Sequence, residues 1–270
     1  MFKVLIALLC VVVSGCVTQS MGPRQDTVVS GNPISYVASV GLAPTVVFES
    51  GLGDGFSVWA DVYEMVQNFA GVFAYSRPGY SAGFNRQIKL GSERTADESA
   101  GLLREILTSS SIPAPYILVG HSIGGMYVLE FARDYPELVA GLVLVDARLP
   151  GFTQKCERAD VAGLCQPPAL LTAISPLHIA AEIRGLQSSE ASAPSPKMIG
   201  NIPTILIAAT QPSLGFSADT QLIWLEFQRE YADALLDGHL VIAEGSAHYI
   251  QREAPELVVE EIRNLISRLR

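Results

Sequence analysis

The stretch YILVGHSIGGMYVLEFA, residues 116–132, decides the reading of this chain. Five of its residues, Gly120-His121-Ser122-Ile123-Gly124, match G-x-S-x-G. A short apolar run, YILVG (116–120), precedes the motif and a helical pattern (123–135) follows it. A serine held at such a junction needs a sharp backbone turn, and glycines two residues to either side let neighbouring chain approach without clashing. The turn thrusts the hydroxyl up at the helix N-terminus. Composition alone would produce about 0.1 such matches in a chain of this length.

Outward from the motif, apolar runs alternate with longer helical patterns. The runs cover 34–40, 45–49, 72–76, 116–120, 141–146, 204–209 and 239–244, and their near-continuous apolar character suits strands buried on both faces of a parallel sheet. Helical patterns lie near 94–109, 123–135, 219–236 and 254–269; the last carries Leu257, Val258, Ile262, Leu265, Ile266 and Leu269 on one stripe. This alternation predicts an α/β fold. Residues from about 150 to 201 break the rhythm with Pro, Ser and an apolar piece, ALLTAISPLHIAAEI, and read as an inserted cap or lid over an apolar group. Its tail, 188–197, reads as a flexible hinge or linker.

With Ser122 in this context, the chain resembles the α/β-hydrolase family across nearly all of residues 30–270. The resemblance implies a mostly parallel sheet flanked by helices, with a small helical cap, and a Ser-His-Asp triad in the chain order serine, acid, histidine. Of the four histidines, His248 lies in the loop after the last strand and before the last helix, where the family carries its catalytic base. His121 sits beside the serine and lines the turn, His178 falls in the insertion and His239 opens a strand. Two carboxylates compete for the acid: Asp146 at the end of GLVLVD is favoured, and Asp219, which equally reads as a helix N-cap, is the alternative. The family's oxyanion donors correspond to the backbone N–H groups of Ile123 and Leu52; the loop before Leu52 departs from the frequent His-Gly pattern, since Ser50 stands where the histidine would be. Arg77, in YSRPGYS (75–81), reads as structural. The function implied is a carboxylic ester hydrolase working through an acyl-enzyme on a small-molecule substrate; a non-catalytic surface binding lipoprotein and an acyltransferase are the alternatives. No cofactor or metal is implied.

The chain's start needs a separate account. Lys3 and the apolar run from Val4 to Val13 suit a signal peptide, being too short to span about 30 Å of hydrocarbon as a helix. Val13-Ser14-Gly15-Cys16 resembles a bacterial lipobox, which implies cleavage before Cys16 and its lipidation. The expected organisation is therefore a signal peptide at 1–15, a tether at 16–28 and the hydrolase domain at 29–270. A cell-envelope location on a membrane anchor follows, with the outer membrane favoured in a Gram-negative source because Val17 is not Asp. Setting Cys10 and Cys16 aside leaves Cys156 and Cys165, a candidate disulfide in an oxidising compartment, with no zinc-spaced Cys or His cluster beside them. A net charge of −9 with no basic stripe excludes nucleic-acid binding.

Overall fold

A computed structural model describes residues 21–80, 91–160, 165–212 and 215–269. Residues 1–15 and Cys16, read as a lipoprotein signal, lie outside the described residues, and among those described no helix is long and apolar enough to cross a membrane. One eight-stranded sheet organises the chain: β1 (Gln25–Val29), β2 (Asn32–Ser39), β3 (Thr45–Glu49), β4 (Gly71–Ser76), β5 (Tyr116–His121), β6 (Val139–Val145), β7 (Thr204–Ala209) and β8 (Gly238–Ala243). The spatial order is β1-β2-β4-β3-β5-β6-β7-β8. The strands from β3 to β8 pair in parallel, while β2 runs antiparallel to both β1 and β4.

The helices are α1 (Ala60–Val66), α2 (Ala96–Ser109), α3 (Ile123–Asp134), α4 (Phe152–Arg158), α5 (Ala169–Ile174), α6 (Leu177–Ser192), α7 (Ala218–Ala234), α8 (Ile250–Glu253) and α9 (Pro255–Arg268). Successive strand residues point to opposite faces. Val46, Ile117, Val119, Val143 and Ile205 pack with Val62 of α1 and Ile262 of α9. Their neighbours Val47, Leu118, Leu142 and Leu206 pack on the other face with Leu103 of α2, Phe131 of α3 and Tyr231 of α7. Two buried faces explain why the strand runs are apolar without alternation. The chain is an α/β-hydrolase fold with a mostly parallel sheet flanked by helices.

Two boundaries differ from the sequence reading. β1 starts at Gln25, inside the stretch read as a tether at 16–28, because Gln25 to Val29 pair with Tyr36 to Asn32 along an edge strand. The tail 188–197, read as a hinge, is helical as far as Ser192: α6 buries Ala181, Leu186 and Ser189 despite its serines. The Ser189 hydroxyl also accepts from the Ala96 amide at 2.9 Å, fixing the start of α2. Between β6 and β7, α4, α5 and α6 form the inserted segment, with Cys156 and Cys165 joined by a disulfide and their Cα atoms 5.6 Å apart.

Candidate active site

Ser122 stands between β5 and α3 with φ 53° and ψ −125°, a strained conformation for a residue with a side chain. Neighbouring backbone holds it there. Its amide donates to the Val145 carbonyl at 3.2 Å, and its carbonyl accepts from the amides of Arg148 at 2.8 Å and Gly125 at 3.0 Å. The two flanking approaches leave no room for side chains. A Cβ on Gly124 would lie 2.6 Å from the Ser50 carbonyl oxygen, and one on Gly51 would lie 2.8 Å from His121 Nδ1 and 3.2 Å from Ser122 Cβ. The loop after β3 therefore crosses directly over the turn, bringing Leu52 beside Ser122. Ile123 opens α3, so its amide has no partner within the helix.

Asp146 follows β6, also in the left-handed region with φ 39°, and is fully buried. Its Oδ2 lies 2.6 Å from His248 Nδ1. Its Oδ1 accepts from Trp224 Nε1 at 2.8 Å and from the Ala209 amide at 3.0 Å. These donors occupy the second oxygen and leave the first to the imidazole, so His248 carries its proton on Nδ1 and turns Nε2 outward. The His248 side chain is 24% exposed and, with Ser122 and Leu52, lines a cavity of about 420 Å³ to whose wall Phe216, Trp224 and Tyr249 contribute aromatic rings. Asp219 does not join them. It lies exposed in the first turn of α7, whose N-cap is Ser217, bonded to the Thr220 amide at 3.1 Å.

His121 binds the site from behind. Its Nε2 lies 2.9 Å from the His248 carbonyl oxygen, and since a carbonyl only accepts, Nε2 carries the hydrogen. Burial, with help from nearby His248, pushes its pKa well below the ordinary histidine range, so it is neutral. His178 stacks edge-on against Tyr80, and His239 is the second residue of β8. Asp54, on the cavity wall, accepts from the Tyr249 hydroxyl at 3.1 Å; burial raises its pKa and lifts that of Tyr249 to about 12. Arg77 is buried and donates to the carbonyls of Ser50 at 2.6 Å and Gly51 at 2.7 Å, in keeping with a structural role. Sequence reasoning missed Trp224 and Tyr249. Neither belongs to a local motif, although each follows or lies within an element already recognised.

Among the described residues, one carboxylate group, Asp97, Glu130 and Asp134, is spaced to hold a metal ion. None of the three lines the cavity, and Glu130 pairs with Arg133 at 2.5 Å.

A model of the alpha/beta hydrolase family matches residues 46–261. The protein named Putative carbamate hydrolase RutD of Enterobacter cloacae is 33% identical over 116 residues, a stretch covering 42% of this chain and 42% of that protein. The chain therefore matches less than half the length of such curated relatives. Among solved structures, mouse alpha/beta hydrolase domain-containing protein 10 superposes with a TM-score of 0.69 at 18% identity, covering 92% of this chain and 100% of the other. A thermophilic esterase from Thermogutta terrifontis gives 0.63 at 18% identity, covering 92% and 99%. Both likenesses are to the fold.

Proposed function

The chain belongs to the alpha/beta hydrolase family, and on that footing we propose that it is a serine hydrolase that cleaves small carboxylic esters through an acyl-enzyme. The observation that carries this reading is that Ser122 and His248 line one cavity while buried Asp146, behind it, holds the His248 imidazole at 2.6 Å. In this mechanism His248 Nε2 takes the Ser122 proton as Oγ attacks the carbonyl, and Asp146 steadies the imidazolium that forms. The amides of Ile123 and Leu52 stabilise the developing oxyanion. Removing one such donor typically costs about 3 kcal/mol of transition-state stabilisation. The protonated His248 then gives its proton to the leaving alcohol. Water, deprotonated by the same nitrogen, releases the acid.

A carbamate is the second reading, favoured by the name of the RutD relative. It differs from an ester only in bearing nitrogen on the acyl side, so the same steps pass through a carbamoyl-enzyme. The apolar run and Cys16 support an envelope lipoprotein anchored by its acyl chains, and the disulfide accords with an exported, oxidising location.

The test is the intact mass after a fluorophosphonate probe, wild type beside Ser122→Ala. One adduct on wild type and none on the variant is expected. An adduct on both would assign the reactivity to another residue, and none on folded wild type would count against the hydrolase reading. Matched p-nitrophenyl esters and carbamates then separate the two substrates by steady-state kcat/KM and kcat, since the preferred acyl group is both transferred and released the faster.

A further inference from the structure

The loop that carries Leu52 is gripped on both sides by side chains that converge on one carboxylate of the cap. Arg77, 1% exposed, bonds the carbonyls of Ser50 and Gly51. A peptide group is planar and trans, so a Gly51 carbonyl turned towards Arg77 turns the Leu52 N–H to the opposite side. One residue on, the Gly53 amide donates to the Tyr80 hydroxyl at 3.1 Å. The peptide units before and after Leu52 are thus fixed, and neither fixing side chain belongs to the loop.

Both fixing groups end on Glu182 of α6. Arg77 donates from Nε to Oε1 at 2.7 Å and from Nη2 to Oε2 at 3.0 Å, and the Tyr80 hydroxyl donates to Oε2 at 2.8 Å. Arg94 adds a third contact at 2.8 Å, and its amide donates to the Ala181 carbonyl of α6 at 2.9 Å. On its far side Arg77 meets Glu49 at 2.5 Å, which also accepts from the Tyr75 hydroxyl. Burial alone would raise the Glu182 carboxyl, but Arg77 and Arg94 outweigh it and hold its pKa below the usual range. Two guanidiniums, Arg77 and Arg94, and two carboxyl groups, Glu49 and Glu182, meet in a buried site. Without the Glu182 charge, one carboxylate would face two cations, and Arg77 would have to seek new partners at the cost of its hold on the loop.

Resting on the serine-hydrolase reading, we propose that Glu182 is a positioning residue for the oxyanion-binding amide of Leu52, making α6 a fixed part of the catalytic frame rather than a free lid. The test compares full-length wild type, Glu182→Gln and Glu182→Asp, with Lys155→Met, which breaks an ion pair to Glu230 at the protein surface, as control. The probes are p-nitrophenyl acetate and phenylboronic acid, whose tetrahedral serine adduct sets an oxygen where the oxyanion forms. Glu182→Gln should lower kcat at least tenfold with KM within about twofold, weaken boronate binding in step, and speed amide exchange at 50–53. Glu182→Asp should recover part of the loss, and Lys155→Met should match wild type. A folded Glu182→Gln with kcat and boronate affinity within about twofold of wild type overturns the proposal. Should that variant fail to fold, Tyr80→Phe, which removes only the hydroxyl between Gly53 and Glu182, must show the same parallel loss; unchanged values overturn the proposal equally. A wild type inert to ester and fluorophosphonate sinks the hydrolase reading itself, which is visible before any variant is compared.

Discussion

Asp146 is bonded on both oxygens, and the two oxygens do different work. Oδ2 orients His248, while Oδ1 is held by Trp224 and the Ala209 amide, so the carboxylate cannot rotate. Asparagine there would offer an N–H to an imidazole that needs an acceptor, stabilising the wrong tautomer. Asp146→Asn should lower kcat by about 10³–10⁴-fold with little change in KM, read from steady-state ester hydrolysis. His121 supports a prediction about pH. It stays neutral when folded, whereas the unfolded chain protonates it at about pH 6.5. The unfolded state therefore binds the extra proton, and the contribution of His121 to stability is full above that pH and lost as pH falls below it. Between pH 7 and 5, Tm should fall more steeply for wild type than for His121→Gln in scanning fluorimetry; equal slopes would refute the assignment.

Elements meet at the site through backbone, which makes some positions intolerant of a single methyl group. The clearest is Gly124 in the first turn of α3, whose added Cβ would press on the Ser50 and Glu49 carbonyls at 2.6 and 2.8 Å. Alanine gains about 1 kcal/mol of helix propensity over glycine, whereas the crowding displaces the loop that carries Leu52. Gly124→Ala should cut kcat at least tenfold while Tm moves by only a few degrees, because the two effects oppose each other in stability but not in catalysis. The same scale shows what was legible in advance. β7 spans the residues its apolar run marked, and α2, at Ala96–Ser109, fills the helical pattern read near 94–109. The helical tail of α6 was not legible, since its serines disfavour helix locally and burial against α2 overrides them.

At the scale of the whole molecule, the proposed lipid anchor would set where the protein works. An acylated Cys16 would tether the body to a membrane that no described helix crosses. Expressed in a Gram-negative host with labelled palmitate, wild type should incorporate label and sediment with membranes. Cys16→Ser should incorporate none, and label on both would remove Cys16 as the anchor.

The sequence by itself determined the alternating α/β order, the strained turn at Ser122 and the loop that holds His248, because each is written in spacing along a few neighbouring residues. Only the tertiary structure decided which carboxylate meets His248. Asp146 and Asp219 both stood near a strand or helix end in the right chain order, and pairing across a separation of 102 residues selected the first. Trp224 against Asp146 and Glu182 against Arg77 belong to the same class. Such contacts depend on how the insertion and α7 close over the strand ends, and no local stretch of sequence encodes that meeting.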